Sequence, residues 1–156
     1  MDRIENILSF RKNDENLSTS GQPTEAELSL LASDNYKWII NLRPNLEMET
    51  VFDEKAIVEN LGLEYLQIPM TFETLNNKIL MNFFEVMEKT KTKKSLVHCH
   101  HNIRVSALLA FYRILKQNWS KEEVFNDLSK MMEITPMFEN YFSHHISEFK
   151  KNLSLD

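Results

Sequence analysis

The chain is poor in cysteine and in long apolar runs and has no surplus of positive charge, and each of these closes off a class of protein. Its single cysteine, Cys99, excludes an internal disulfide and a cysteine-rich zinc module, and it fits a reducing compartment. A formal charge of −5 leaves no basic surplus of the kind a general nucleic-acid binder carries. No apolar stretch approaches the roughly 20 residues of a membrane span. The opening MDRIENILSF has acidic residues where a secretory signal would have its apolar core. There is no internal repeat, low-complexity tract or linker. What is present is ordinary for a folded protein: 156 residues, 42% of them hydrophobic, enough to bury one core. The expectation is a soluble, cytoplasmic protein whose residues 1–156 form a single domain, without cofactor, membrane or nucleic-acid partner.

Alternation of short β-branched runs with amphipathic stretches sets the expected architecture. Thr24 and Glu27 have the spacing of a capping box after Pro23, and Leu28 and Leu31 begin an apolar helix face. Asn35 can adopt the left-handed conformation that closes a helix. Residues 36–42 read as a buried strand broken by Pro44. A helix is expected over 48–61, stopped by Gly62, and a second strand over 63–68, ended by Pro69. Leu75, Ile79, Phe83 and Met87 lie four apart and mark a helix running to about Thr90. Lys91 to Lys94 read as a solvated turn, and Leu96 to His98 as a third strand. The last third reads as helical throughout: 105–118, a capping box at Ser120 and Glu123 opening a helix to about Met132, and a final helix from Thr135-Pro136. The fold class expected is α/β, a central, mainly parallel sheet of about four to five strands flanked by helices, with an all-helical C-terminal third.

The chemistry concentrates in residues 95–115, SLVHCHHNIRVSALLAFYRIL. A lone thiol stands between a strand-like run and a helix-like run, at the carboxyl end of a strand, where such sheets bind ligands. Backbone N–H groups of a tight loop and the dipole of the following helix favour an anion there and stabilise a thiolate. Arg104 adds a planar fork suited to two phosphate oxygens. Asn102 is the loop residue most tolerant of positive φ. His100, His101, Asn102, Ile103 and Arg104 are therefore the candidate anion-binding positions. The run His98-Cys99-His100-His101 consists of metal-ligand types, with His144-His145 as the only partner cluster, but consecutive residues rarely converge on one ion. No metal site is assigned.

At these residues the chain resembles a family. VHCHHNIRVS is similar to the signature of cysteine-based protein phosphatases, in which His-Cys precedes a phosphate loop closed by Arg. SGQPTEAEL, WIINLRP and YLQIP precede it in the order of the small bacterial dual-specificity-like phosphatases, those related to the phosphatase half of beta-lactamase-hydrolase-like proteins. The resemblance implies that Cys99 is the nucleophile of a phosphocysteine intermediate and that Arg104 holds the phosphoryl oxygens. It implies that His98 braces the loop and helps keep the thiol ionised, and that Ser106 steadies the leaving thiolate. Gln22, Asn41 and Arg43 would brace loops beside the site. The implied partner is a phosphorylated small molecule or a phosphoprotein.

Two features depart from the family pattern. Four residues separate Cys99 from Arg104 where the usual loop has five, with Asn102 in place of glycine. The region after the second strand, 68–74, carries no aspartate to serve as general acid, leaving Glu73 as the available carboxylate. Three functions follow as alternatives: phosphomonoester hydrolysis through Cys99, phosphate or phosphoprotein binding by a pseudophosphatase, and rhodanese-like sulfur transfer, whose cysteine loop has the shorter length.

Overall fold

Ile39 and Ile40 are neighbours in the chain yet lie in different cores, because a strand sends successive side chains to opposite faces. Leu96 and Val97 divide in the same way. These four residues mark the middle of a sheet covered on both sides. The structure, a computed structural model, describes residues 3–45 and 53–153.

The strands are β1 (Arg11–Lys12), β2 (Leu17–Ser20), β3 (Trp38–Asn41), β4 (Glu64–Gln67) and β5 (Ser95–His98), in the spatial order β1-β2-β5-β3-β4. β2, β5, β3 and β4 run parallel, and only β1 is antiparallel to its neighbour. The helices are α1 (Glu25–Ser33), α2 (Glu54–Asn60), α3 (Asn77–Thr90), α4 (Ile103–Lys116), α5 (Lys121–Leu128) and α6 (Pro136–Leu153). Leu28 and Leu31 of α1 and Val58 of α2 pack on Ile39 and Leu96. α3 to α6 cover Ile40 and Val97 with Leu80, Phe83, Leu108, Phe111 and Phe142. The expected mainly parallel, helix-flanked sheet and helical C-terminal region are both found.

Helix starts follow their caps. Thr24 and Ser120 form complete capping boxes with Glu27 and Glu123. Asn76 accepts from the Ile79 N–H, so α3 opens at Asn77 and not at Leu75, which is nevertheless buried. Asp53 caps α2, whose first residue is Glu54; of the helix expected over 48–61, residues 48–52 lie outside the described residues. α4 begins two residues earlier than expected, at Ile103, and α5 stops at Leu128 rather than near Met132. Asn35 and Gly62 take positive φ of 65° and 84°, as their positions after α1 and α2 require.

β1 and β2 have no counterpart in the sequence reading. β2 is Leu-Ser-Thr-Ser, with Ser18, Thr19 and Ser20 all buried. Each hydroxyl is bonded: Ser18 to the Tyr36 hydroxyl at 2.8 Å, Ser20 to the Gly21 carbonyl at 2.8 Å, and Thr19 as acceptor from Asn13 and Asn102. A buried strand whose polar groups are satisfied from neighbouring elements has no apolar pattern to betray it. Among the described residues no helix is long and apolar enough to cross a membrane.

Candidate active site

All four parallel strands deliver their carboxyl ends to one side of the sheet, and the loops that follow them meet there. The segment after β5 is the centre. Cys99 donates its N–H to the Ser20 carbonyl at 3.3 Å, and the His100 carbonyl accepts from the Gln22 N–H at 3.1 Å. The chain then turns at Asn102 (φ 69°) into α4. The turn is locked by the Asn102 side chain, fully buried, which donates to the Ser9 carbonyl at 2.9 Å and to Thr19 Oγ1 at 3.0 Å. Gly21 is required by this approach, since a Cβ there would stand 2.4 Å from the His100 carbonyl oxygen.

A cavity of about 290 Å³ opens over this turn, lined by Cys99, His100, His101, Ile103 and Arg104 on one side and by Thr71, Phe72 and Glu73 on the other. Cys99 is 1% exposed, so the thiol lies on the floor, while His100, His101 and Glu73 stand exposed at the rim. No side chain caps the first turn of α4, and an uncapped helix N-terminus attracts anions. Arg104 directs Nη1 to the Met70 carbonyl at 3.0 Å, which ties its guanidinium to the segment carrying Glu73. That segment is braced from outside by Tyr141 of α6, whose hydroxyl donates to the Phe72 carbonyl at 2.6 Å. Burial foremost, with the Glu73 charge adding to it, pushes the Tyr141 phenol up to about 12, so it remains a donor at physiological pH.

The other positions singled out from sequence lie behind the cavity. His98, with no exposed surface, faces the Glu54 carboxylate through Nε2 at 2.7 Å and its neighbour's carbonyl, Cys99 O, through Nδ1 at 3.3 Å. Gln22 donates to the same carboxylate at 2.6 Å and accepts from Arg43 at 2.8 Å. Asn41 accepts from the Arg43 N–H and donates to the Tyr65 hydroxyl. Ser106 turns its hydroxyl onto the Asn102 carbonyl at 2.6 Å, which ties the loop to the first turn of α4. His144 is exposed and His145 packs edge-on against Tyr141, so neither approaches a cluster suited to metal; no such cluster occurs among the described residues.

Glu54 was not anticipated. Its signal was a carboxylate in register with Val58, the next buried position of α2 one turn on. A charged residue in an apolar stripe marks a buried partner elsewhere in the chain.

The parallel sheet, with the segment Cys99 to Arg104 turning from the end of β5 into α4, has the architecture of the cysteine-based protein tyrosine phosphatase superfamily. The chain belongs to the family described as the DSP-PTPase phosphatase fused to NAD+ Kinase, whose model matches residues 3–144. It is 29% identical over 113 residues to the Beta-lactamase hydrolase-like protein of Xylella fastidiosa strain Temecula1, a match covering 70% of this chain. The chain spans only about a quarter (26%) of that relative's length. A crystal structure of a proposed phosphatase (DUF442) from Shewanella putrefaciens CN-32 superposes with a TM-score of 0.76 at 26% identity, over 94% of this chain and 96% of the other. TpbA of P. aeruginosa in complex with phosphotyrosine shares the fold, with a TM-score of 0.69 at 16% identity over 94% and 86% of the two chains.

Proposed function

We propose that residues 1–156 act as one phosphatase-like domain that hydrolyses a phosphomonoester through Cys99, the substrate being a phosphorylated small molecule or a phosphoprotein. One observation carries this reading: the thiol of Cys99 shares a cavity with a guanidinium, an uncapped helix N-terminus and a carboxylate. The Cys99 thiolate attacks phosphorus as the bond to the leaving oxygen breaks, and the Glu73 carboxyl gives that oxygen its proton. The Glu73 carboxylate then takes a proton from water, whose oxygen attacks the phosphocysteine; inorganic phosphate leaves and the thiolate returns. Arg104 and the first-turn amides of α4 hold the phosphoryl oxygens, whose charge they meet most strongly in the transition state. His100, His101 and Ile103 form the rim against which the alcohol part of the substrate rests.

The four-residue loop between Cys99 and Arg104 also supports a second reading, phosphate or phosphoprotein binding without turnover. Sulfur transfer, the remaining reading of a short loop, receives no support from the family to which the chain belongs. Hydrolysis of an activated aryl phosphate separates the two that remain. Turnover abolished in both Cys99→Ser and Arg104→Ala is the expected result. Wild type no faster than Cys99→Ser, with phosphate still bound, would favour the binding protein.

A further inference from the structure

Glu54 is 1% exposed and has no part in the reaction proposed above, yet its carboxylate is buried directly behind the residues that carry the thiol. An isolated carboxylate there would be costly, and this one is held by His98 at 2.7 Å and Gln22 at 2.6 Å. The His98 ring is confined between two groups that only accept, the carboxylate at Nε2 and the Cys99 carbonyl at Nδ1. A ring with a proton on each nitrogen satisfies both contacts; a neutral ring leaves one acceptor facing a lone pair. A doubly protonated ring in this place is a cation one residue from the thiol, away from water, where charge weighs more than at a surface.

We propose that Glu54 is a positioning residue of the site, acting through His98: its buried carboxylate fixes the ring in its doubly protonated form beneath the loop, and that fixed cation holds Cys99 as thiolate. This rests on Cys99 being the nucleophile. It extends the site to a chain of contacts running from Arg43 through Gln22 and Glu54 to His98 and the Cys99 carbonyl, and so to the ends of β2, β3 and β5 and the start of α2. Burial alone would raise the Glu54 carboxyl, but the charge and hydrogen bond of His98, the Gln22 bond and the Arg43 charge outweigh it and hold the carboxyl below its ordinary range. The Tyr65 phenol also feels the Glu54 charge: burial foremost, with the Glu54 and Asp53 charges adding to it, pushes it up to about 12. Around the thiol stand His100, His101, Arg104 and Glu73.

The test is the pH dependence of Cys99 alkylation by iodoacetamide in the full chain, which requires a thiolate but no phosphoryl transfer. Glu54→Gln, nearly isosteric, should move the curve to higher pH and slow alkylation at neutral pH about tenfold, as loss of a stabilising charge beside a thiol does. Glu54→Asp, which keeps the charge, should restore most of the rate, and Glu54→Gln added to His98→Asn should change nothing further. A Glu54→Gln curve that superimposes on wild type in a protein with unchanged circular dichroism overturns the proposal. So does an equal shift in the His98→Asn background. If Glu54→Gln does not fold, His98→Asn alone decides: its curve must move upward, and coincidence with wild type overturns the relay. A shifted alkylation curve in a protein without phosphatase turnover would count against the function proposed above while leaving the relay standing.

Discussion

Asn102 stands where a phosphate loop ordinarily has glycine, and replacing it tests what that position contributes. Its backbone is left-handed, φ 69° and ψ 9°, which glycine adopts freely, asparagine tolerates and alanine resists by roughly 1 kcal/mol. Its buried amide also donates two hydrogen bonds, to the Ser9 carbonyl at 2.9 Å and to Thr19 Oγ1 at 3.0 Å. At about 1 kcal/mol each these are worth about 2 kcal/mol together. Thr19 Oγ1 keeps its bond from Asn13 when the amide is removed, so the orphaned group is the Ser9 carbonyl. The side-chain term therefore exceeds the backbone term. Asn102→Gly should lose about 2 kcal/mol and Asn102→Ala about 3 kcal/mol, the difference being the backbone conformation alone. Urea unfolding of the three proteins measures this; with a slope of about 2 kcal/mol/M the midpoint should fall by about 1 M for glycine and about 1.5 M for alanine. Asn102→Gly as stable as wild type would refute the argument that the amide holds the loop, and alanine equal to glycine would refute the conformational part.

Two further outcomes follow from neighbouring contacts. Gly21→Ala places a methyl 2.4 Å from the His100 carbonyl oxygen, so the loop must shift; aryl phosphate turnover should fall at least tenfold while the far-ultraviolet circular dichroism stays that of a folded chain, and unchanged turnover would contradict the close approach. The Glu54 carboxyl is depressed on folding, so its contribution to stability is full above its unfolded value of 4.5 and is lost as pH falls through the lower folded value. The unfolding free energy of wild type should thus drop on acidification below that value, and Glu54→Gln should lose this part of the slope; identical acid limbs would contradict the shift.

Where a signal was local, the sequence was readable. Both capping boxes, the left-handed Asn35 and Asn102 and the stop at Gly62 depend on residues a few positions apart, and all occur as expected. The thiol before a helix and the arginine in that helix's first turn fell within a single stretch, and that stretch forms one wall of the cavity. What escaped depends on distant partners. β2 is held by hydroxyls bonded to Tyr36, Asn13 and Asn102, none of which its own residues reveal. The contact between His98 and Glu54 joins residues 44 apart in the chain. The role of α6 at the site rests on a Tyr141 hydroxyl that reaches the Phe72 carbonyl 69 residues away. The four-apart spacing of Leu75 with Ile79 suggested one helix, but the Asn76 cap places Leu75 outside it while burial keeps it in the same core. Periodicity reports which side chains are buried more faithfully than where the hydrogen-bonded turns begin.

The central claim is that Cys99 carries a phosphoryl group during turnover. Rapid acid quenching of the wild-type protein with an aryl phosphate, followed by peptide mass spectrometry, should find the phosphoryl mass on the peptide containing Cys99. The same peptide should be unmodified in Cys99→Ser, and the modification should accumulate in Glu73→Gln, which cannot deprotonate the attacking water. Turnover with no phosphoryl group on Cys99, or turnover retained in Cys99→Ser, would contradict the account.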